Sequence, residues 1–237
     1  MKPKKREPAD AGRKRNPERP PLRVMIVDDH PLMRVGLQTL IENEPDMQVC
    51  GQAESAGDAM RQVQACSPDA LIVDLCLPGT SGIDLLRDLR AQAPHIPALV
   101  VSMHEERFYA ERALRAGARG YVMKQDDPQR IIKGLRAVVQ GDLFVSNRIT
   151  RHLLHSVVGT RTPQMEGFGV NRLSDRELQV FEMIGQGKGT RRIAEELHLS
   201  VKTIETYRAH IKRKLGLENG NELILAAAQS AQSKTPG

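Results

Sequence analysis

Acidic, hydroxyl and amine residues that together could hold a cation and an anionic group each stand at the end of a short apolar run. VMIVDDH carries Asp28 and Asp29, ALIVDLCLPG carries Asp74, ALVVSMH carries Ser102, and GYVMKQ carries Lys124. Apolar runs of strand length, separated by stretches of helical spacing, predict a parallel sheet whose two faces are both covered. Open sheets of that kind bind ligands at the carboxyl ends of their strands. With the runs side by side, carboxylates, a hydroxyl and an ammonium converge on one pocket. Paired carboxylates on adjacent loops suit a hard divalent cation such as Mg²⁺. The cation would neutralise a phosphoryl group on Asp74, while Ser102 and Lys124 donate to its oxygens.

The elements that must position these residues follow from the same pattern. Strands are expected near 22–27, 47–53, 69–74, 97–102 and 119–123, with helices near 31–43, 56–66, 81–92, 105–117 and 127–140. Pro45, Pro68, Pro78, Pro94 and Pro97 fall in the breaks, where proline is tolerated. Gly117 and Gly141 stand where helices should end in a left-handed cap. Alternating β/α units with right-handed crossovers predict an α/β fold, a doubly wound five-stranded parallel sheet.

Residue types, order and spacing, including Leu77-Pro78-Gly79 after the central aspartate, resemble the receiver domain of two-component response regulators, a flavodoxin-like fold, over roughly residues 22–140. The resemblance implies that Asp74 accepts phosphate from a sensor histidine kinase. It also implies that Asp29 and Asp74 ligate Mg²⁺ with the backbone carbonyl of Cys76, Asp28 helping through water. Ser102 and Tyr121 look like the hydroxyl and aromatic that reorient around the phosphoryl group. One departure stands out: Gln125 follows Lys124 where many receivers have proline. Cys76 and His104 fall near enough to tune the lifetime of an acyl phosphate, although packing or exposure accounts for them equally well.

At 237 residues the chain can hold two modest domains. No apolar run approaches the ~18 residues of a membrane span, and the basic N-terminus lacks an apolar signal core, so the reading is a soluble, cytoplasmic protein without a membrane partner. Cys50, Cys66 and Cys76 are widely spaced, without a CxxC pair, and read as reduced core-type residues. Residues 1–20 hold eight Lys and Arg against three Asp and Glu, residues 172–237 eleven against eight, and the stretch between them sixteen against eighteen. Basic ends flanking a slightly acidic middle suit a cation-binding module joined to one that meets polyanions.

Residues 1–20 lack an apolar face and read as a disordered basic tail. The receiver is assigned to 21–142, a connecting helix from Ser146 to 158 and a flexible linker over 159–171 to the segment 143–171, and an all-α four-helix domain to 172–237. In that last domain Ser174 and Glu177 form a capping box, Thr190 reads as the cap of a short helix, and a longer helix is capped by Ser200 and closed by Gly216. Short helix, tight turn and longer helix outline a helix-turn-helix, whose second helix enters the major groove. Ile204, Ile211 and Leu215 make one buried seam, while Lys202, Thr203, Glu205, Thr206, Ala209, Lys212 and Arg213 fall mostly outside it. Charge pattern alone fits a solvated amphipathic helix in a small bundle slightly better than a DNA-reading one.

LSDRELQVFEMIGQG and IAEELHLSVKTIETYRAHIKRKLGL resemble the LuxR-type helix-turn-helix, and with the receiver the chain after residue 21 is similar to NarL/FixJ-family response regulators. The resemblance places Glu205, Thr206 and Ala209 at base-reading positions. Lys202, Thr203, Arg208 and Lys212 become candidates for backbone contact or helix support, and Thr190 and Arg191 for phosphate contact. It implies a regulator, not an enzyme, in which phosphorylated Asp74 shifts the surface near 104–124 and releases or homodimerises the output domain on promoter DNA. An Asp-nucleophile hydrolase would use the same Asp74, Ser102 and Lys124 but is disfavoured by the attached helical module. A receiver that merely docks on a protein partner is the other alternative.

Overall fold

The computed structural model describes residues 20–158 and 167–232. Five strands, β1 (Leu22–Val27), β2 (Met47–Ala53), β3 (Ala70–Val73), β4 (Ala98–Ser102) and β5 (Gly120–Met123), alternate with α1 (Pro31–Glu42), α2 (Ala56–Cys66), α3 (Gly82–Gln92), α4 (Glu106–Ala116) and α5 (Pro128–Val139). All ladders are parallel and the strand order is β2-β1-β3-β4-β5. The doubly wound sheet expected from the sequence is therefore present. Val24, Ile26, Ile72, Leu99 and Val101 face Leu37 and Ile41 of α1 and Ile132 and Leu135 of α5. Met25, Val27, Leu71, Val73 and Val100 face the opposite layer, built from α2, α3 and α4. Burial on both faces explains why these strands read as continuous apolar runs instead of alternating ones.

The chain reverses its direction of winding between β1 and β3, and ligand crevices in open α/β sheets form at such a switch point. Asp28 follows β1 and Asp74 follows β3. Close packing behind Asp74 fixes its backbone: a Cβ on Gly82 would lie 2.1 Å from the Asp74 carbonyl oxygen, so only glycine lets α3 start there. Gly82 N–H donates to Leu75 O at 3.0 Å, and the Ser81 side chain caps α3 by accepting from Ile83 N at 3.2 Å.

A connecting helix, α6 (Asn147–Val158), starts where expected, with Ser146 Oγ accepting from Ile149 N at 3.3 Å. Four helices follow: α7 (Asp175–Gly185), α8 (Thr190–Glu196), α9 (Val201–Leu215) and α10 (Gly220–Gln232). The capping box at α7 is formed, and Gly216 closes α9 at φ 69°. Two expectations need correction. Gly167–Arg172 is a 3₁₀ turn with Val170 buried, not linker, because the Arg112 guanidinium donates to the carbonyls of Val170 and Leu173 and ties the segment down. Thr190 is the first residue of α8; Gly189 occupies the cap position, without a side chain to accept. The expected basic tail over 1–19 and the linker portion 159–166 lie outside the described residues.

Candidate phosphorylation site and output helices

The carboxyl ends of β1, β3 and β5 meet around one ammonium group. Lys124 Nζ lies 2.6 Å from Asp28 Oδ2 and 2.6 Å from Asp74 Oδ2, with both carboxylates buried. Burial by itself would lower the lysine pKa, but the charges of Asp74 and Asp28 outweigh it and raise it, so Lys124 stays cationic. Asp74 Oδ1 is buried and has no hydrogen-bond partner. A buried carboxylate oxygen left open costs stability, and it is free to take a further contact. Asp28 Oδ1 accepts from His30 N at 2.8 Å.

Asp28, Asp29, His30 and Asp74 present ligand atoms within 4.8 Å of one another. Three carboxylates make this a hard-oxygen donor set that fits a divalent cation. His30 is the member that sequence reasoning missed. Its signal was the DDH triplet itself: the residue precedes Pro31 at the start of α1, and its Nδ1 lies 2.7 Å from Asp29 Oδ1. Cys76, on the loop after β3, is half-buried.

Ser102 ends β4, the neighbour of β3, and is fully buried. Its Oγ accepts from His104 N at 3.4 Å. Tyr121 is also fully buried, and its hydroxyl donates to the His104 carbonyl at 2.9 Å. Burial raises the Tyr121 pKa well above the usual value, and the carboxylates of Glu182 and Asp74 add to the effect. Ser102 and Tyr121 thus both hold the backbone of His104.

The His104 side chain reaches out of the sheet domain. Its Nε2 lies 3.1 Å from Cys76 Sγ and its Nδ1 2.7 Å from Glu182 Oε2 on α7. Burial would depress the imidazole, but the Cys76 sulfur and the Glu182 carboxylate outweigh it and push the pKa up to about 10. The Tyr109 ring stacks on the imidazole at 4.4 Å. Further along α7, Gln179 donates to Leu75 O at 3.4 Å and Arg176 to Leu77 O at 3.2 Å, on either side of Cys76. Asp175 pairs with both Arg87 and Arg112 at 3.0 Å. The output helices are therefore seated on the loops that carry the acidic pocket.

In α9, Ile204 and Ile211 are fully buried and Leu215 is half-buried, which is the expected seam. Lys202, Glu205, Thr206 and Ala209 are exposed, as is Arg191 on α8; Thr203, Arg208, Lys212 and Thr190 are half-buried. The Thr206 hydroxyl donates back to Lys202 O at 3.0 Å. The proposed reading face is open to solvent, with docking concentrated on α7.

Residues 24–136 match the model of the response regulator receiver domain, and residues 171–227 that of bacterial regulatory proteins of the luxR family. The chain is 32% identical over 208 residues to the oxygen regulatory protein NreC of Staphylococcus haemolyticus (strain JCSC1435), covering 86% of this chain and 95% of that protein. It belongs to the NarL/FixJ-type response regulators. Among solved structures, RcsB from Salmonella enterica serovar Typhimurium, bound to promoter P1flhDC in the presence of the phosphomimetic BeF3⁻, is 27% identical with a TM-score of 0.59, covering 88% of this chain and 98% of RcsB. A structure of two RcsB dimers on two parallel DNAs is 26% identical with a TM-score of 0.53, covering 91% and 100%. As a response regulator, the chain is a transcription factor whose receiver phosphorylation controls DNA binding, rather than an enzyme acting on a separate substrate. Among the described residues of this regulator, no helix is long and apolar enough to cross a membrane.

Proposed function

We propose that Asp74 is the phosphoacceptor through which a sensor histidine kinase controls sequence-specific binding of this cytoplasmic regulator to promoter DNA. The observation that carries the reading is the unengaged Oδ1 of Asp74 beside the lysine that grips its other oxygen. Asp74 Oδ1 attacks the phosphorus of a phosphohistidine; the P–O bond forms as the P–N bond breaks, and the imidazole leaves with the bonding pair. Lys124 and Ser102 then donate to the phosphoryl oxygens. Asp28, Asp29, Asp74 and the Cys76 carbonyl would hold Mg²⁺, which supplies charge neutralisation at the transferred group.

Donation by Ser102 to a phosphoryl oxygen, with movement of Tyr121, would displace the backbone of His104 to which both are bonded. That displacement reaches α7 through Glu182 and frees the output domain, which then dimerises on paired half-sites; support comes from RcsB, which is seen as dimers bound to DNA. Glu205, Thr206 and Ala209 read bases. Lys202, Thr203, Arg208, Lys212, Thr190 and Arg191 meet the backbone or support the helix.

The test uses the full chain and duplexes enriched from a random pool. A small-molecule phosphodonor with Mg²⁺ should label the parent and raise its DNA affinity, and should do neither to Asp74→Asn. Equal labelling of both would assign the acceptor elsewhere.

A further inference from the structure

Cys50 and Cys66, outside the acidic pocket, are brought together by three local features. The β1–β2 ladder pairs Val24 with Val49 but Met25 with Gly51, leaving Cys50 as the extra residue of a β-bulge on the edge strand. A bulge breaks the alternation of side chains and re-aims one of them, and here Cys50 joins the cluster beneath α2 that contains Cys66. Gly51 makes the room: a Cβ there would lie 3.1 Å from Cys66 Sγ. Gln62 of α2 donates to Gln52 O at 2.6 Å, clamping the helix to the strand beside the pair. The two sulfurs lie 3.7 Å apart, and both residues are half-buried, so solvent-borne reagents can reach them.

We propose that Cys50 and Cys66 are a peroxide-reactive dithiol site that closes to an intramolecular disulfide. Closure brings the sulfurs from 3.7 Å to about 2.05 Å. Hydrogen peroxide is the oxidant. The Cys66 sulfur attacks one peroxide oxygen, the O–O bond breaks, and Cys66 sulfenic acid and water result. The Cys50 sulfur then attacks the Cys66 sulfur; the S–S bond forms, the S–O bond breaks, and the departing hydroxide takes the Cys50 proton as a second water. Two thiols are oxidised and one peroxide is reduced. Burial and the neighbouring Cys66 push the Cys50 thiol up to about 11, which disfavours Cys50 as the first nucleophile. Small-molecule thiols would reverse the bridge by exchange.

The full chain is exposed to hydrogen peroxide, alkylated under denaturing conditions, and digested without reduction by trypsin with Asp-N, which separates Cys66 from Cys76 by cutting before Asp69. The expected product is a single cross-linked peptide pair joining Cys50 to Cys66, lost on treatment with dithiothreitol, with Cys76 still alkylated. Cys50→Ser should leave a Cys66 sulfenic acid that dimedone traps, while Cys66→Ser should yield no bridge. The proposal is overturned if both thiols remain alkylatable after Cys76 has been oxidised, or if bridges form between chains instead. It is also overturned if dimedone labels Cys50 in Cys66→Ser as fast as Cys66 in Cys50→Ser.

Discussion

His104 Nδ1 and Glu182 Oε2 lie 2.7 Å apart, joining the turn after β4 to the first helix of the output domain across 78 residues of sequence. Glu182→Ala would remove the acceptor while His104 keeps its contact with Cys76. The unphosphorylated variant is expected to bind DNA more tightly than the parent by on the order of tenfold, within the ~1–3 kcal/mol typical of coupling between sites. Fluorescence anisotropy with a labelled duplex checks this. Unchanged affinity, with an unchanged scattering profile, would mean that the contact does not restrain the output domain.

Lys124 is the counter-ion of two buried carboxylates. Lys124→Ala should therefore destabilise the metal-free chain, and Mg²⁺ should raise the melting temperature of the variant by more than it raises that of the parent. Asp29→Ala should weaken Mg²⁺ binding in both backgrounds. The chain has no tryptophan, so titration calorimetry is the suitable readout for affinity. An equal response to Mg²⁺ in parent and Lys124→Ala would count against a shared site.

Thr206→Ala and Glu205→Ala should change preference among duplexes, each lost base contact costing about 1–3 kcal/mol. Lys212→Ala should instead weaken binding to all duplexes and reduce the salt slope by about one counterion. Competition with single-site variants of a selected duplex separates the two behaviours. Uniform losses in both sets would remove α9 from base reading.

Glu177 ties α7 to α9: its Oε2 lies 2.6 Å from Lys214 Nζ and also accepts from Ser174 N at 2.7 Å. Burial alone would raise its pKa, but the Lys214 contact and the Ser174 N–H outweigh that and hold it below the ordinary value of 4.5. A depressed carboxyl stabilises the fold above its unfolded pKa and loses that contribution as pH falls through the folded value. The melting temperature of Glu177→Gln should thus lie below that of the parent at neutral pH, and the gap should narrow below pH 4.5. A gap that widened in acid would reverse the assigned sign.

The pocket was legible because each chemical residue ends an apolar run, and strand ends in a parallel sheet converge whatever the loops between them do. The caps of α7 and α9 were legible for a similar reason, since a capping box and a terminal glycine act over a few residues. The role of α7 was not. Arg176, Gln179 and Glu182 recur every third residue, a spacing of polar groups that a solvated helix face would also show; Gln179 and Glu182 are buried against the loops carrying Leu75 and His104. Nothing local distinguishes water from backbone carbonyls supplied by residues a hundred positions away. The 3₁₀ turn at Gly167–Arg172 escaped for the same reason, its partner Arg112 lying in α4.

That polar stripe also bears on what a cell can do with the protein repeatedly. Were α7 to separate from the receiver, as proposed, it would expose an arginine, an amide and a carboxylate, groups that water receives as readily as the receiver's carbonyls and imidazole do. Had the stripe been leucines, each release would uncover an adhesive surface, and freed molecules would tend to capture one another before they could close again. On the proposed release, the stripe would add polar groups, not apolar area, to the surface that is uncovered.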